Sequence, residues 1–122
     1  MGNVNKFKSK IFKTLSDAVR LEILGFLRDE EKRVCEIVQH VGIRQPLVSR
    51  HLRILRDYGL VKQKMNGTKR LYLVTDPRVF EIIDSVTLDL VDTFSKRAIE
   101  QMAVYKKKKR RLLLSRIYVC SR

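Results

Sequence analysis

Apolar residues recur at intervals of three and four along most of this chain, the spacing of helices with one buried face. In "KFKSKIFKTL", Phe7, Ile11 and Leu15 share a stripe. The next stretch, "DAVRLEILGFLRDE", carries a second stripe of Val19, Ile23, Leu24 and Leu27, with Ser16 expected as its N-cap and Asp17 suited to the positive end of the helix. The acidic run "DEEKR" then reads as a solvated connection. A short helix follows over "VCEIVQHV", apolar at Val34, Ile37, Val38 and Val41, with Gly42 as its C-cap.

Beyond Gly42, "IRQPLVSRHLRILRDYG" places Pro46 in a first helical turn, where its missing N–H costs nothing, and Gly59 closes the helix. Two helices joined by a short Gly-containing turn predict a helix-turn-helix. The period then shortens to two in "LVKQKM" and "TKRLYLV", with Asn66-Gly67 between them, which predicts a hairpin. Asp76-Pro77 begins a final run, "PRVFEIIDSVTLDLVDTFSKRAIEQMAVY", apolar at Phe80, Ile83, Leu90, Phe94, Ala98, Met102 and Tyr105. As one helix it would span roughly 43 Å at 1.5 Å per residue, longer than one small core needs, so we expect it to pair across a dimer with the first helix. A helix that merely covers its own domain is the alternative. The expected fold is mainly α with a small β-hairpin, a winged helix-turn-helix over residues 1–105 dimerising through its first and last helices. A basic tail fills residues 106–122.

The 122 residues carry a net charge of +14, which implies a polyanionic partner. Residues 106–122 hold eight bases and no acid, and residues 44–70 hold eight bases against the single acid Asp57, leaving the rest of the chain near neutrality. Two cysteines, Cys35 and Cys120, are too few for a secreted disulfide framework, and no apolar run reaches signal-peptide or membrane-spanning length, so a cytoplasmic protein with no membrane partner is expected. The two histidines and two cysteines have no catalytic spacing and no Gly-rich phosphate loop exists, which argues against an enzyme; no cofactor is expected.

On a helical wheel of residues 45–57, Val48, Leu52 and Leu55 fall together and Gln45, Ser49, Arg53 and Arg56 fall opposite, with Arg50 beside them. A helix fits the major groove of double-stranded DNA, where Arg pairs with guanine, Gln with adenine and Ser with either. Gln45, Ser49 and Arg50, near the helix start, are the candidate base readers. Arg44, Arg53 and Arg56 are candidates for phosphate, and Lys64, Lys69 and Arg70 beside the hairpin tip can reach the backbone or the minor groove. The alternative for all of them is a solvated basic face. His51 lies at the edge of the apolar face, between Leu47, Ile54 and Leu55, either packed there or reading a base. Cys35 has three readings: packing as a small hydrophobe, a redox switch favoured by Arg33 and the helix start, or metal ligation with Cys120 or a partner subunit.

The run "VCEIVQHVGIRQPLVSRHLRILRDYGLVKQKMNGTKRLYLV" resembles the ArsR/SmtB winged-helix repressors, most specifically at Gln45, Val48, Ser49, Arg50, His51 and Leu52, then Leu55, Gly59, Leu60, Val61 and Tyr72. The resemblance covers about residues 7–100. It implies a homodimer that binds a pseudo-palindromic operator and represses transcription until a small effector, unnamed by these residues, releases it. Metal-sensing relatives carry two thiolates around the third helix; here Arg33 stands at the first position and only Cys35 remains. Zinc-sensing relatives take Asp and His ligands from the last helix, which here has Asp84, Asp89 and Asp92 but no histidine, so no metal site is expected. Arg44 stands where the family usually has a Ser N-cap. The alternative to a sequence-specific repressor is a sequence-tolerant architectural nucleic-acid-binding protein.

Overall fold

The computed structural model describes residues 3–115, with side chains described at all of these except 98, 99 and 109–115. Helices α1 (Val4–Leu15) and α2 (Ala18–Phe26) lead into strand β1 (Lys32–Arg33), then α3 (Val34–Val41), α4 (Gln45–Asp57), the hairpin β2 (Val61–Asn66) and β3 (Lys69–Val74), and finally α5 (Val79–Asp84), α6 (Leu88–Phe94) and α7 (Lys96–Ser115). The sheet is antiparallel, in the order β1-β3-β2. This is a mainly helical winged helix-turn-helix, as expected.

Four local expectations are corrected. The cap of α2 is Asp17, whose carboxylate accepts from the N–H groups of Val19 and Arg20, while the Ser16 hydroxyl turns back to the Lys13 carbonyl and closes α1. The supposed solvated connection ends in β1, which pairs Lys32 with Tyr72 and Arg33 with Leu71. The hairpin turn is Gly67-Thr68 and not Asn66-Gly67, because Asn66 pairs with Lys69 in the ladder. Gly67, at φ 66°, takes the left-handed first position that a tight hairpin of this length demands. The long final helix is broken in two places. Thr87 caps α6 by accepting from the Leu90 N–H, and Ser95 is extended between α6 and α7. Ser and Thr side chains compete for backbone hydrogen bonds in this way, and apolar periodicity alone does not register it.

One core joins α2, α3, α4, β2 and α5 through residues that include Ile23, Leu24, Ile37, Val38, Val48, Leu52, Leu55 and Phe80. Val48, Leu52 and Leu55 are at most 1% exposed, so the buried face of α4 is the one the wheel assigns. Gly42 at φ 77° ends α3 with its N–H on the Val38 carbonyl, and the chain turns at once into α4. A polar bridge seats the same helix from the other side. Arg20 donates through Nε to the Thr14 carbonyl at 2.7 Å, and its guanidinium lies 3.3 Å from Nδ1 of His51. Asp17 stands 4.0 Å from that ring nitrogen. Arg28 makes a bidentate pair with Asp84 and lies over the Phe80 ring, tying the turn after α2 to α5.

Truncating Leu52 to Ala is expected to destabilise the fold by about 2–5 kcal/mol, measured by denaturant unfolding, because the gap lies between well-packed neighbours. His51 predicts a pH dependence. Burial holds its imidazole below the ordinary 6.5, with Arg20 and Arg50 adding to the effect and Asp17 opposing it. The folded state therefore binds fewer protons than the unfolded chain as pH falls from about 6.5, so stability declines across that window. Thermal unfolding between neutral and mildly acidic pH should show the decline, and His51→Gln should flatten it; an unchanged slope in the variant would refute the assignment.

Candidate nucleic-acid interface

Helix α4 starts without a side-chain cap. Arg44, at φ −65° and ψ 144°, is the extended N-cap residue, and its carbonyl receives the N–H groups of Leu47 and Val48. Pro46 sits in the first turn as the sequence predicts. With Val48, Leu52 and Leu55 held inward, Arg44, Gln45, Ser49, Arg50, Arg53 and Arg56 are all exposed. Among the described residues none of these arginines enters an ion pair, so the face offers unneutralised guanidinium groups beside an amide and a hydroxyl. Leu47 is 45% exposed in the first turn among these polar groups, whereas the wheel sets it beside His51 near the apolar face. Its place between Pro46 and the buried Val48, at the very start of the helix, is the signal in the sequence that could have found it.

The hairpin places its bases on two faces. Side chains alternate along a strand, so Lys62 and Lys64 share one face with Lys69 while Arg70 shares the other with Met65, its cross-strand partner. Lys64 is committed within the molecule, its Nζ 2.7 Å from a Glu31 carboxylate oxygen. Lys62, exposed and not among the expected DNA-binding residues, lies on the Lys69 face. The Tyr72 hydroxyl accepts from Gln63 Nε2 at 2.7 Å, a cross-strand bond that braces the base of the wing.

His51 is half-buried and faces Arg20 and Asp17, which takes it out of the exposed set. Arg33, at the first thiolate position of metal-sensing relatives, has a structural task here. Its backbone N–H and its Nε both donate to the Glu36 carboxylate; these bonds pull that carboxyl below the usual range and fasten the start of α3. Cys35 is half-buried one residue into α3. Cys120 lies outside the described residues. Within the described residues no three His, Cys, Asp or Glu side chains gather in a group able to hold a metal ion, and no described helix is long and apolar enough to cross a membrane.

A second surface lies at the opposite end of the core. Phe12, Leu21, Ile82, Val86 and Leu88 are exposed around an apolar groove of about 770 Å³ between α1, α2, α5, α6 and α7. Phe7 and Ile11, 62% and 37% exposed, lie on the same first helix, whereas Leu15 at the end of their predicted stripe is buried in the core.

Known proteins share this arrangement. Residues 17–63 match the model of the arsR family of bacterial regulatory proteins. The probable mercury resistance operon repressor of Streptomyces lividans is 41% identical over 75 residues, which span 62% of this chain and 60% of that relative. The arsenical resistance operon repressor of Staphylococcus xylosus is 37% identical over 87 residues, 70% of this chain and 80% of the relative. Among solved structures, a homodimeric winged helix-turn-helix DNA-binding domain from Mycobacterium bovis superposes with a TM-score of 0.62 at 27% identity, covering 68% of this chain and 80% of that one. The capless basic helix, its wing and these relatives agree: the chain belongs to the ArsR family of bacterial regulatory proteins, DNA-binding transcriptional regulators.

Proposed function

We propose that this protein is a cytoplasmic, dimeric repressor that reads its operator through the exposed face of α4. The observation that carries this reading is the rotation of the helix: burial of Val48, Leu52 and Leu55 leaves Gln45, Ser49 and Arg50 outward near its start. In this reading those three touch base edges in the major groove, and Leu47 offers an apolar surface to a thymine methyl. Arg44, Arg53 and Arg56 neutralise phosphates and set the register. Lys69 and Arg70 reach the flanking backbone from the two faces of the wing, and Lys64 does so once it leaves Glu31. The groove between α1, α2, α5, α6 and α7 takes the matching surface of a second copy, in line with the homodimeric relative and the repressor names of the others. An architectural, sequence-tolerant role is the weaker reading for a chain of this family. The protein acts without catalysis.

Metal sensing, which two relatives' names suggest through mercury and arsenic resistance, has a poor basis here because Arg33 is engaged with Glu36. The reading we favour instead is a thiol-based response at Cys35, half-buried in the first turn of α3. Disulfides of cytosolic proteins are usually transient or redox-sensing, and Cys35 sits in the helix that precedes the turn into α4. A thiol–disulfide change there is proposed to alter the seating of the recognition helix.

Arg50→Ala is expected to weaken binding to a footprinted operator by about 1–3 kcal/mol for each bidentate base pairing it removes, with a smaller effect on random duplex. Equal weakening on both DNAs would sink the base-reading role. For the switch, operator affinity of the wild type should differ between reductant and oxidant, and Cys35→Ser should abolish the difference. No difference in the wild type would remove Cys35 from regulation.

A further inference from the structure

Helix α7 continues through Ser115, and its C-terminal half carries the six consecutive bases 106–111. Glu100 is the last acid of the chain, so no carboxylate lies one turn before or after this run. Lys106, Lys107 and Lys108 are exposed and enter no ion pair among the described residues. Six residues at 100° each pass right around the helix, which leaves no apolar stripe in that stretch of sequence for docking on the domain or on a second copy. The root of the helix, by contrast, is held: Met102 lines the apolar groove with Phe12, Leu21 and Leu88. The run is thus a cationic rod starting about 6 Å along the axis from an anchored residue.

We propose that the 106–111 segment of α7 is a second, sequence-independent DNA-binding arm that lies along the phosphate backbone; it rests on the reading of this protein as a DNA-binding regulator. Linear charge density selects the partner. The arm presents one positive charge per 1.5 Å of helix, and duplex DNA presents one negative charge per about 1.7 Å of its axis. A single phosphate or carboxylate would engage one or two of these bases and leave the others repelling one another along the helix. A lipid surface would favour an apolar face beside the basic one, which this segment lacks.

The test compares two full-length triple variants on a random-sequence duplex between about 50 and 200 mM salt. K106Q/K107Q/K108Q removes three charges from the arm, and K6Q/K8Q/K13Q removes three from α1; Gln preserves helix propensity in both. The slope of log affinity against log salt should become shallower by about 0.9 for each phosphate no longer neutralised, hence by two or more units in the arm variant and by less than one in the α1 variant. An unchanged slope in the arm variant, or equal changes in both, would overturn the proposal, the second outcome assigning the effect to net charge alone. Failure of the arm variant to bind phosphatidylserine vesicles that the wild type binds, with an unchanged DNA slope, would overturn it in favour of a membrane. Because random duplex requires no base reading, failure of Arg50→Ala to alter specificity would leave this result intact.

Discussion

The rotation of α4 about its own axis is the constraint on which the rest depends. Val48, Leu52 and Leu55 are fully buried, and full burial of one such side chain is worth about 1.5–3 kcal/mol. An exposed ion pair contributes roughly 0–1 kcal/mol. No arrangement of surface charge therefore competes with the apolar face in deciding which side of the helix looks outward. The basic face is a consequence: once three positions point in, Ser49, Arg50, Arg53 and Arg56 can only point out.

The start of the same helix runs against local preference. A missing side-chain cap costs around 1 kcal/mol, and a cation at Arg44 opposes the positive end of the helix dipole by a further ~0.3–1 kcal/mol. Tertiary burial covers both penalties, and Pro46 lowers the first because it brings no orphan N–H. What remains is a helix entrance where the Gln45 N–H stands beside a guanidinium, since the N–H groups of Leu47 and Val48 are on the Arg44 carbonyl and Pro46 has none; that pair suits a phosphate oxygen. Local instability and proposed DNA binding thus fall on the same two residues, Arg44 and Gln45.

Elements defined by periodicity and punctuation were legible in the sequence. Helix α3, with its apolar positions and Gly42, and helix α4, with Pro46 and Gly59, lie where the pattern puts them. Elements defined by competition between polar groups were not. Ser85, Thr87 and Ser95 divide the final run through side-chain and backbone choices that hydrophobic spacing ignores. Strand β1 is two residues long and exists because Leu71 and Tyr72 on β3 offer a free edge, a fact of tertiary structure. The same holds at the site. The wheel separated exposed from buried positions on α4, whereas the Arg20 and Asp17 partners of His51 come from another helix and its cap, 31 and 34 residues earlier in the chain.

Charge pairing sorts the bases further than composition can. Arg28, Arg33 and Arg78 are spent on Asp84, Glu36 and Asp76, and Lys32 and Lys64 on Glu30 and Glu31. These acids lie before β1 and in or beside α3 and α5, where they fasten one element to the next or hold the start of a helix. Among the described residues, no carboxylate pairs with Arg44, Arg50, Arg53, Arg56, Lys69 or Arg70, and Asp57, the single acid of residues 44–70, pairs with none of them. Unpaired bases among the described residues stand on α4, on the wing tip and at Lys106, Lys107 and Lys108 of α7, and also along α1 at Lys6, Lys8, Lys10 and Lys13. The exposed face of α4 thus keeps a positive potential that the ion pairs fastening the fold do not cancel.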